Sequence, residues 1–569
     1  MTNLSQQKRK RMMEFLDSIK QSSNDEQIKA VNEIESFLIE KRYGLVWEEH
    51  EENVDLLMVK NIPVFSEEKS LKIRSNSNKL INHLLIGDNL HSLRLLQKTH
   101  KGNVDMIYID PPYNTESEGF YYNDTYVGKD DGFSHSKWLS LMEKRLRIAR
   151  DLLSDKGFIF ISIDDNEYAP LKMLMDEIFG QENYQKTDYL QVRYADKILK
   201  QDMVYHKQIE QVLIYSKIPG TKPNQKQEVY GFEKFSYSFE EKATPVKTLN
   251  LGGKKVDVFE KGDWKLIKGE GSADGLKEVW ASGSILNGNS SGRFARDYLT
   301  GRSSEDGLGV LYKVYGIGDD QFDSRYFVGP SREGATRMKY YQGVPIEKLD
   351  GETKVSKPIE NFYDMAGDFG NIVHEGKVEF NGGKKPIRLI DMYLDYFSDK
   401  DITVLDFFAG SGTTGHAVLK KNSVDGGTRK FILCQSEDGN IAIGKTYQRF
   451  KNIEDDYDFN LSVYRTEFIP KYSVEEVSIS EKLLEHIGEM AQLNFGIDLE
   501  SSRALKLILS EEELDTYFNN EEVKDFSLLI PSFVLLTGEQ EELASERNIQ
   551  IIPVPDYYFT EELREVGEL

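Results

Sequence analysis

Asp110-Pro111-Pro112-Tyr113 closes the apolar run Val104-Asp105-Met106-Ile107-Tyr108-Ile109, so a buried-strand pattern ends in an acid, two rigid residues and an aromatic. The chemistry this offers is the handling of an amino group on a planar ring. Asp110 and the carbonyl of Pro111 are acceptors of fixed direction, and Tyr113 is a flat face for stacking. The competing reading is a structural turn, because Pro and Asp are common turn residues.

A second cluster begins 296 residues later (406 − 110). The short run Ile402-Thr403-Val404-Leu405 leads into Asp406-Phe407-Phe408-Ala409-Gly410-Ser411-Gly412-Thr413-Thr414-Gly415-His416-Ala417-Val418. Glycines after a strand and before a helix let backbone approach a ligand closely. The helix start then presents unpaired N–H groups. A tight turn between strand and helix is the plainer reading of any single Gly-x-Gly.

These loops need elements to carry them. Residues 1–60 carry apolar positions at helical spacing, Ile28, Val31, Ile34, Phe37 and Leu38. The cluster Lys8-Arg9-Lys10-Arg11 is either a solvated helix start or a phosphate contact. The pattern breaks near Pro63. From residue 82 strands and helices alternate. Leu84-Leu85-Ile86 runs into Gly87-Asp88-Asn89 and a helix with Leu90, Leu93, Leu95 and Leu96. After strand 104–109 comes a polar, aromatic loop, Thr115 to Phe133, with Tyr121, Tyr122 and Tyr126. A helix follows with Trp138, Leu141, Met142, Leu146, Ala149, Leu152 and Leu153, expected to end at Gly157 before strand 158–163 and Asp164-Asp165. Between 186 and 365 the periodicity decays, with one clear strand at 211–215. It returns near 386 with a helix through Leu389, Ile390, Tyr393, Leu394 and Phe397, then strand 402–408, the glycine loop, a helix and strand 431–434. The alternation predicts a parallel, doubly wound sheet interrupted by an inserted module.

Composition bounds the function. A chain of 569 residues makes several domains and a large core. No run approaches the ~20 apolar residues of a membrane helix, and the start MTNLSQQKRKRMMEF shows no signal-peptide core, so a cytoplasmic protein is expected. The single cysteine, Cys434, excludes an intrachain disulfide and argues against a structural zinc site; no metal is expected. The net charge of −24 is unusual for a protein that handles nucleic acid, but it is unevenly spread. Residues 186–365 hold 28 Lys and Arg against 26 Asp and Glu, while 466–569 hold only 7 basic residues against more than 20 acidic ones. Such asymmetry suggests separate surfaces for different partners, one near-neutral and one acidic.

Asp-Pro-Pro-Tyr and DFFAGSGTTGHAV together resemble the DNA amino-methyltransferases, whose catalytic motif is Asp, Asn or Ser, then Pro-Pro and an aromatic, and whose glycine loop binds S-adenosylmethionine. The catalytic motif comes first here and the cofactor loop last, which resembles the β class and implies a circularly permuted Rossmann-like sheet. Asp in the first position implies adenine N6 rather than cytosine N4. GDNLHSLRLL at 87–96, IYIDPPYNT at 107–115, WLSLMEKRLRIARDLL at 138–153, FISIDDNE at 160–167 and KKPIRLI at 384–390 resemble, more closely, the modification subunit of type III restriction–modification systems. Glu210 also fits that pattern. The resemblance covers about 80–440 and implies five regions. They are an N-terminal helical region (1–75), a catalytic first part (76–185), an inserted target-recognition domain (186–365), a catalytic second part with the cofactor loop (366–465), and an acidic C-terminal α/β domain for partner or dimer contact (466–569).

The resemblance also assigns roles. Asp110, Pro111, Pro112 and Tyr113 are catalytic. Asp406, Phe408, Ala409, Gly410, Ser411, Gly412, Thr413 and Thr414 hold S-adenosylmethionine, with Lys385 beside them and Glu437 as candidate acid for the ribose. Asp88 lies near the target base or caps its helix; Asp164 closes the pocket or caps its strand. Within the inserted segment Arg293, Arg296, Arg332, Arg337 and Lys339 are candidate DNA contacts, with Arg302, Arg325, Tyr340 and Tyr341 nearby, ordinary surface charge being the alternative for each. The implied partners are double-stranded DNA, a second copy of the chain and an ATP-dependent restriction subunit. The alternatives are a solitary methyltransferase, a cytosine-N4 enzyme, or a DNA-recognition subunit without catalysis. Gly439 to Thr446 matches the phosphate-loop pattern, but polar QSED separates it from strand 431–434, so a helix entry is expected instead.

Overall fold

The computed structural model describes residues 47–569 except 75–80, 116–119, 123–124, 128–130, 197–204, 282–290, 336, 350–353, 381–382, 473–476, 500–504, 521–526, 555 and 569. Before residue 47 it describes only 11–12, 14–16, 18–20 and 31, all of them helical. Lys8, Arg9 and Lys10, and Ile28, Ile34, Phe37 and Leu38 of the expected helical spacing, lie outside the described residues.

The first half runs α1 (Asn53–Lys60), β1 (Asn61–Glu67), β2 (Ile81–Ile86), α2 (Asn89–His100), β3 (Val104–Ile109), a short hairpin β4 (Phe120–Tyr122) and β5 (Thr125–Val127), α3 (Ser134–Leu152), β6 (Leu153–Ile163), α4 (Tyr168–Phe179), β7 (Tyr184–Gln191) and β8 (Ile209–Ser216). An inserted stretch carries β9 (Gln227–Val229), β10 (Tyr237–Glu241), β11 (Lys247–Leu251), β12 (Lys254–Phe259), β13 (Trp264–Lys268), β14 (Lys277–Ala281), β15 (Leu311–Tyr315), β16 (Ser324–Val328), β17 (Met338–Gln342) and β18 (Lys354–Ser356). The second half adds β19 (Phe362–Asp364), α5 (Ile387–Leu394), β20 (Thr403–Asp406), α6 (Thr413–Asp425), β21 (Lys430–Gln435), β22 (Asn460–Pro470), α7 (Ile479–Leu484), α8 (Ile487–Phe495), β23 (Leu505–Leu507), α9 (Glu511–Phe518), β24 (Ser527–Pro531), α10 (Gly538–Glu546), β25 (Gln550–Val554) and α11 (Asp556–Val566).

Ten strands form the main sheet in the order β1-β22-β2-β21-β20-β3-β6-β8-β7-β19. The six from β22 to β6 are parallel, and β8 pairs antiparallel with both β6 and β7. This is the Rossmann-like sheet with its antiparallel extension. The parallel strands are covered on both faces and so read as continuous apolar runs. All six residues of β2 are buried, and β3 is buried at five of six positions. Each fully buried Leu or Ile contributes about 1.5–3 kcal/mol, which is why these runs choose the sheet centre. Because β20 lies between β21 and β3, the strand of the late motif is hydrogen-bonded to the strand of the early one, with Val404 opposite Met106 and Leu405 opposite Ile107. The chain order is permuted relative to the spatial order.

Two local expectations are corrected. Gly157 does not end the helix. α3 stops at Leu152 and β6 begins at Leu153, with a bulge between the Val104–Leu153 and Met106–Phe158 pairs. A Cβ at Gly157 would come within 3.0 Å of the Asp105 carbonyl, so the glycine serves close strand approach. The aromatic loop after Asp-Pro-Pro-Tyr holds the β4–β5 hairpin.

Gln225–Ile359 forms its own compact unit, shorter than the expected 186–365 because β7, β8 and β19 belong to the main sheet. Within it, six antiparallel strands run β11-β12-β15-β16-β17-β14. Val256, Val258, Tyr312, Val314 and Phe327 on one face bury Phe294, Ala295 and Leu299 of the helical turn after Ser291. The C-terminal stretch divides. Leu483, Leu484, Ile487, Met490 and Leu493 of α7 and α8 join the core of the main sheet, whereas β23, β24 and β25 pair in parallel over a separate core of Leu514, Leu528 and Ile530. Among the described residues no helix is long and apolar enough to cross a membrane.

Candidate active site

The two motif loops leave adjacent parallel strands at the same, carboxyl, end. In open α/β sheets that end, where the connections diverge to either side, is where ligands sit. Here β20 proceeds to β21 on one side and β3 to β6 on the other.

Pro111 is buried and Asp110 half-buried. The Pro112 carbonyl accepts the indole N–H of Trp138 at 2.6 Å, which fixes the turn from α3. Asn114 follows with φ 53° and donates its amide to Glu167 at 2.5 Å. Tyr113 is held through its hydroxyl. That oxygen lies 2.8 Å from Asp110 Oδ1 and 3.1 Å from Glu210 Oε2, sharing its proton between two carboxylates, and accepts from Lys385 Nζ at 2.6 Å. Lys385 also reaches Glu210 at 2.7 Å and Asp110 at 3.3 Å, and its ammonium lies 4.9 Å from the Tyr113 ring centre. The sequence reading placed Lys385 with the cofactor group; its side chain is engaged by the Asp110 cluster. Glu210 fits the family pattern in the sequence, but no local signal there ties it to Tyr113.

Burial pushes the Asp110 carboxyl up to about 6, with Glu210 adding to the rise and Lys385 and Tyr113 opposing it. Burial alone lowers Lys385, but Asp110 and Glu210 outweigh it and hold the ammonium above the ordinary lysine range.

The glycine loop is pinned from several sides. Asp406 accepts the Phe408 N–H at 3.0 Å and the Thr414 hydroxyl at 2.5 Å. Burial raises Asp406 to about 7, against those two hydrogen bonds. The N–H of Gly410 donates to Gln435 Oε1 at 2.7 Å and its carbonyl accepts from Thr446 at 2.6 Å. Thr446 belongs to the phosphate-loop look-alike. That stretch is helical from Ala442 to Asn452, and its threonine anchors the glycine loop. Gly410 has φ 52°, and a Cβ there would meet only the Phe408 carbonyl, at 3.9 Å, so free space lies beside it. Gly412, with φ 77°, precedes α6, where Ser411 and Thr413 exchange a hydroxyl contact at 3.2 Å. Ala409 is buried and Phe408 packs partly buried on the core. Glu437, just past β21, lies 3.5 Å from Arg465.

Asp88 caps α2, accepting the Leu90 N–H at 2.8 Å, and pairs with Arg145 at 3.1 Å. Arg145, fully buried, also grips both oxygens of Glu52 at 3.0 Å and Asn89 Oδ1 at 2.5 Å, while the Asn89 amide donates to the Phe407 carbonyl at 2.7 Å. Asn89 and Arg145 therefore brace the glycine loop, a role the sequence reading missed. Asp164 accepts from the backbone and side chain of Asn166, a turn-capping arrangement.

In the inserted unit the basic residues divide by environment. Arg325 is buried on Asp320 and Ser291, and Arg302 pairs with Asp306, so both are structural. Tyr340 is buried in the core and Tyr341 donates to Glu278 at 2.6 Å. Arg332 and Arg337 are exposed and Arg293 half-buried, while Arg296 pairs with Asp297 at 2.6 Å. Lys339 pairs with Glu278 at 2.8 Å and lies over the exposed Trp280 ring.

The N6_N4_Mtase family model, described as DNA methylase, matches residues 104–445. The chain is 35% identical over 405 residues to the Mod subunit of the type III restriction-modification enzyme StyLTI of Salmonella typhimurium strain LT2, covering 65% of this chain and 54% of that one. It is 27% identical over 435 residues to the EcoP15I Mod subunit of Escherichia coli, covering 67% and 63%. It is 29% identical over 396 residues to the type II methyltransferase M.KpnI of Klebsiella pneumoniae, covering 67% and 86%. The match thus spans between half and two thirds of the length of these type III relatives.

Proposed function

We propose, from the premise that the chain belongs to the N6/N4 DNA methylase family, that it methylates N6 of adenine at a specific site in double-stranded DNA and acts as the modification subunit of a type III restriction–modification system in the cytoplasm. The observation that carries this is the pairing of β3 with β20, which sets Asp110 and the glycine loop side by side.

The residues present fit S-adenosylmethionine. Gly410 borders open space, Gly412 and Thr413 begin a helix, and an ionised Asp406 suits a cationic methionine end. Phe408 to Thr414 would hold that end, and Glu437 the ribose. When bound, this cofactor supplies a methyl group activated by its sulfonium. The chain does the positioning. An adenine paired in the duplex hides its N6, so the base must leave the stack. Tyr113 receives its face. Asp110 and the Pro111 carbonyl accept the two N6–H bonds and direct the nitrogen lone pair at the methyl carbon. Asp110 then takes the proton the methylated nitrogen loses. Orientation of two reactants supplies most of the acceleration in such a transfer.

Sequence choice belongs to Gln225–Ile359, with Arg293, Arg296, Arg332, Arg337 and Lys339 as its DNA contacts. A second copy of the chain and an ATP-dependent restriction subunit are the proposed protein partners, met by the acidic C-terminal stretch. Single-molecule sequencing of DNA from cells expressing the chain tests the reading. N6-methyladenine at one recurring sequence is expected; N4-methylcytosine, or no methylation, rejects it.

A further inference from the structure

Lys385 is buried, yet its ammonium touches three polar side chains that line the place where a target amino group would bind. The contacts are unequal. Glu210 and the Tyr113 hydroxyl lie at 2.7 and 2.6 Å, Asp110 at 3.3 Å. The lysine is thus bound to Glu210 and only leans on Asp110. A buried cation cannot leave one carboxylate without another to receive it, because uncompensated charge in such a site is strongly unfavourable. Glu210, brought in by β8 from outside both motifs, is that second carboxylate. An ammonium and an amino group are both nitrogen donors, so Asp110 can exchange one for the other.

Resting on the methyltransferase reading above, we propose that Lys385 is a stand-in for the target amino group: it leans on the Asp110 acceptor that the amino group needs, and yields it to N6 by shifting wholly onto Glu210. Both are positioning residues. No bond is made or broken, and the pocket holds two carboxylates and one ammonium before and after. An everted base with no N6 donor leaves the lysine where it is, so the exchange favours a ring carrying an amino group at that position.

The test uses the full-length chain and a duplex bearing the sequence it methylates. Rates are compared for wild type, E210Q, K385M and the double variant. E210Q deprives the lysine of its retreat and is expected to lower kcat at least tenfold. Removing the lysine as well is expected to restore at least threefold over E210Q alone, a reversal that a purely structural lysine does not give. The pH profile of kcat/KM is the second readout. Asp110 faces Lys385, Glu210, Tyr113, Tyr108 and Asp406. The acid limb is expected to move to higher pH in K385M and to lower pH in E210Q. K385Q serves the same comparison if K385M melts below the assay temperature. A double variant no faster than E210Q, or an acid limb unmoved in both single variants, overturns the stand-in role while wild-type activity leaves the methyltransferase reading intact. A wild type that transfers no methyl group removes both.

Discussion

Leu405 lies directly opposite Ile107 in the parallel pair of β20 and β3. One residue beyond Leu405 the chain reaches Asp406, and three beyond Ile107 it reaches Asp110, so a buried and a half-buried carboxyl share one end of the sheet, and Asp110 adds to the rise of Asp406.

The pH dependence follows from the setting of these two carboxyls. Asp110 sits near 6 and Asp406 near 7, both above the ordinary carboxyl value because of burial. Below these values each loses the charge its role requires. Affinity for S-adenosylmethionine, measured by calorimetry, is expected to weaken as pH falls below about 7, and the methylation rate at saturating cofactor to fall below about 6. The sign for folding is opposite. A carboxyl whose folded pKa is raised binds protons more tightly folded than unfolded, so this pair's contribution to stability improves as pH falls from 7 towards 4.

Asp110→Asn keeps the size of the side chain but loses the anionic acceptor. The methylation rate is expected to fall by about 100-fold or more. Cofactor affinity, measured separately, is expected to stay within a few-fold. A variant at wild-type rate rejects the catalytic role of Asp110.

Trp138→Phe removes the indole N–H that holds the Pro112 carbonyl. Leaving a partly buried acceptor unsatisfied costs about 1–3 kcal/mol. A lower midpoint in denaturant and a reduced kcat are expected together, because the same turn carries Tyr113.

Arg332→Ala and Arg337→Ala, both exposed, are expected to leave the melting temperature unchanged, to weaken DNA binding and to reduce the salt slope of log K by about one each if they meet phosphate. Arg325→Ala is expected to lower the melting temperature instead, since it strands the buried Asp320. Melting curves and binding at several salt concentrations separate the two classes.

The parts of this architecture that were legible in the sequence are local or periodic. Apolar runs at 84–86, 104–109 and 431–434 announced buried strands, and the glycine string 406–418 announced a loop between strand and helix. The parts that were not legible depend on distant partners. Nothing near Glu210 or Lys385 in the chain signals that β8 and the start of α5 bring them to one phenol. Arg145 looks like one charge among many on α3 until Glu52, Asp88 and Asn89 surround it. Gly157 carried the usual sign of a helix end, but the neighbouring strand needed its missing side chain more. The acidic tail read as a separate domain because composition changes at 466. The apolar stripe of α7 and α8 nevertheless completes the main core.

The inserted unit departs after Asn224 and the chain rejoins at Glu360, and among the described residues no strand of the ten-stranded sheet lies between those points. If sequence choice belongs to this unit, as proposed above, it lies in one uninterrupted stretch of coding sequence. A single recombination event spanning it could hand the enzyme a new recognition sequence while the transfer machinery, and every residue that braces it, is inherited unchanged.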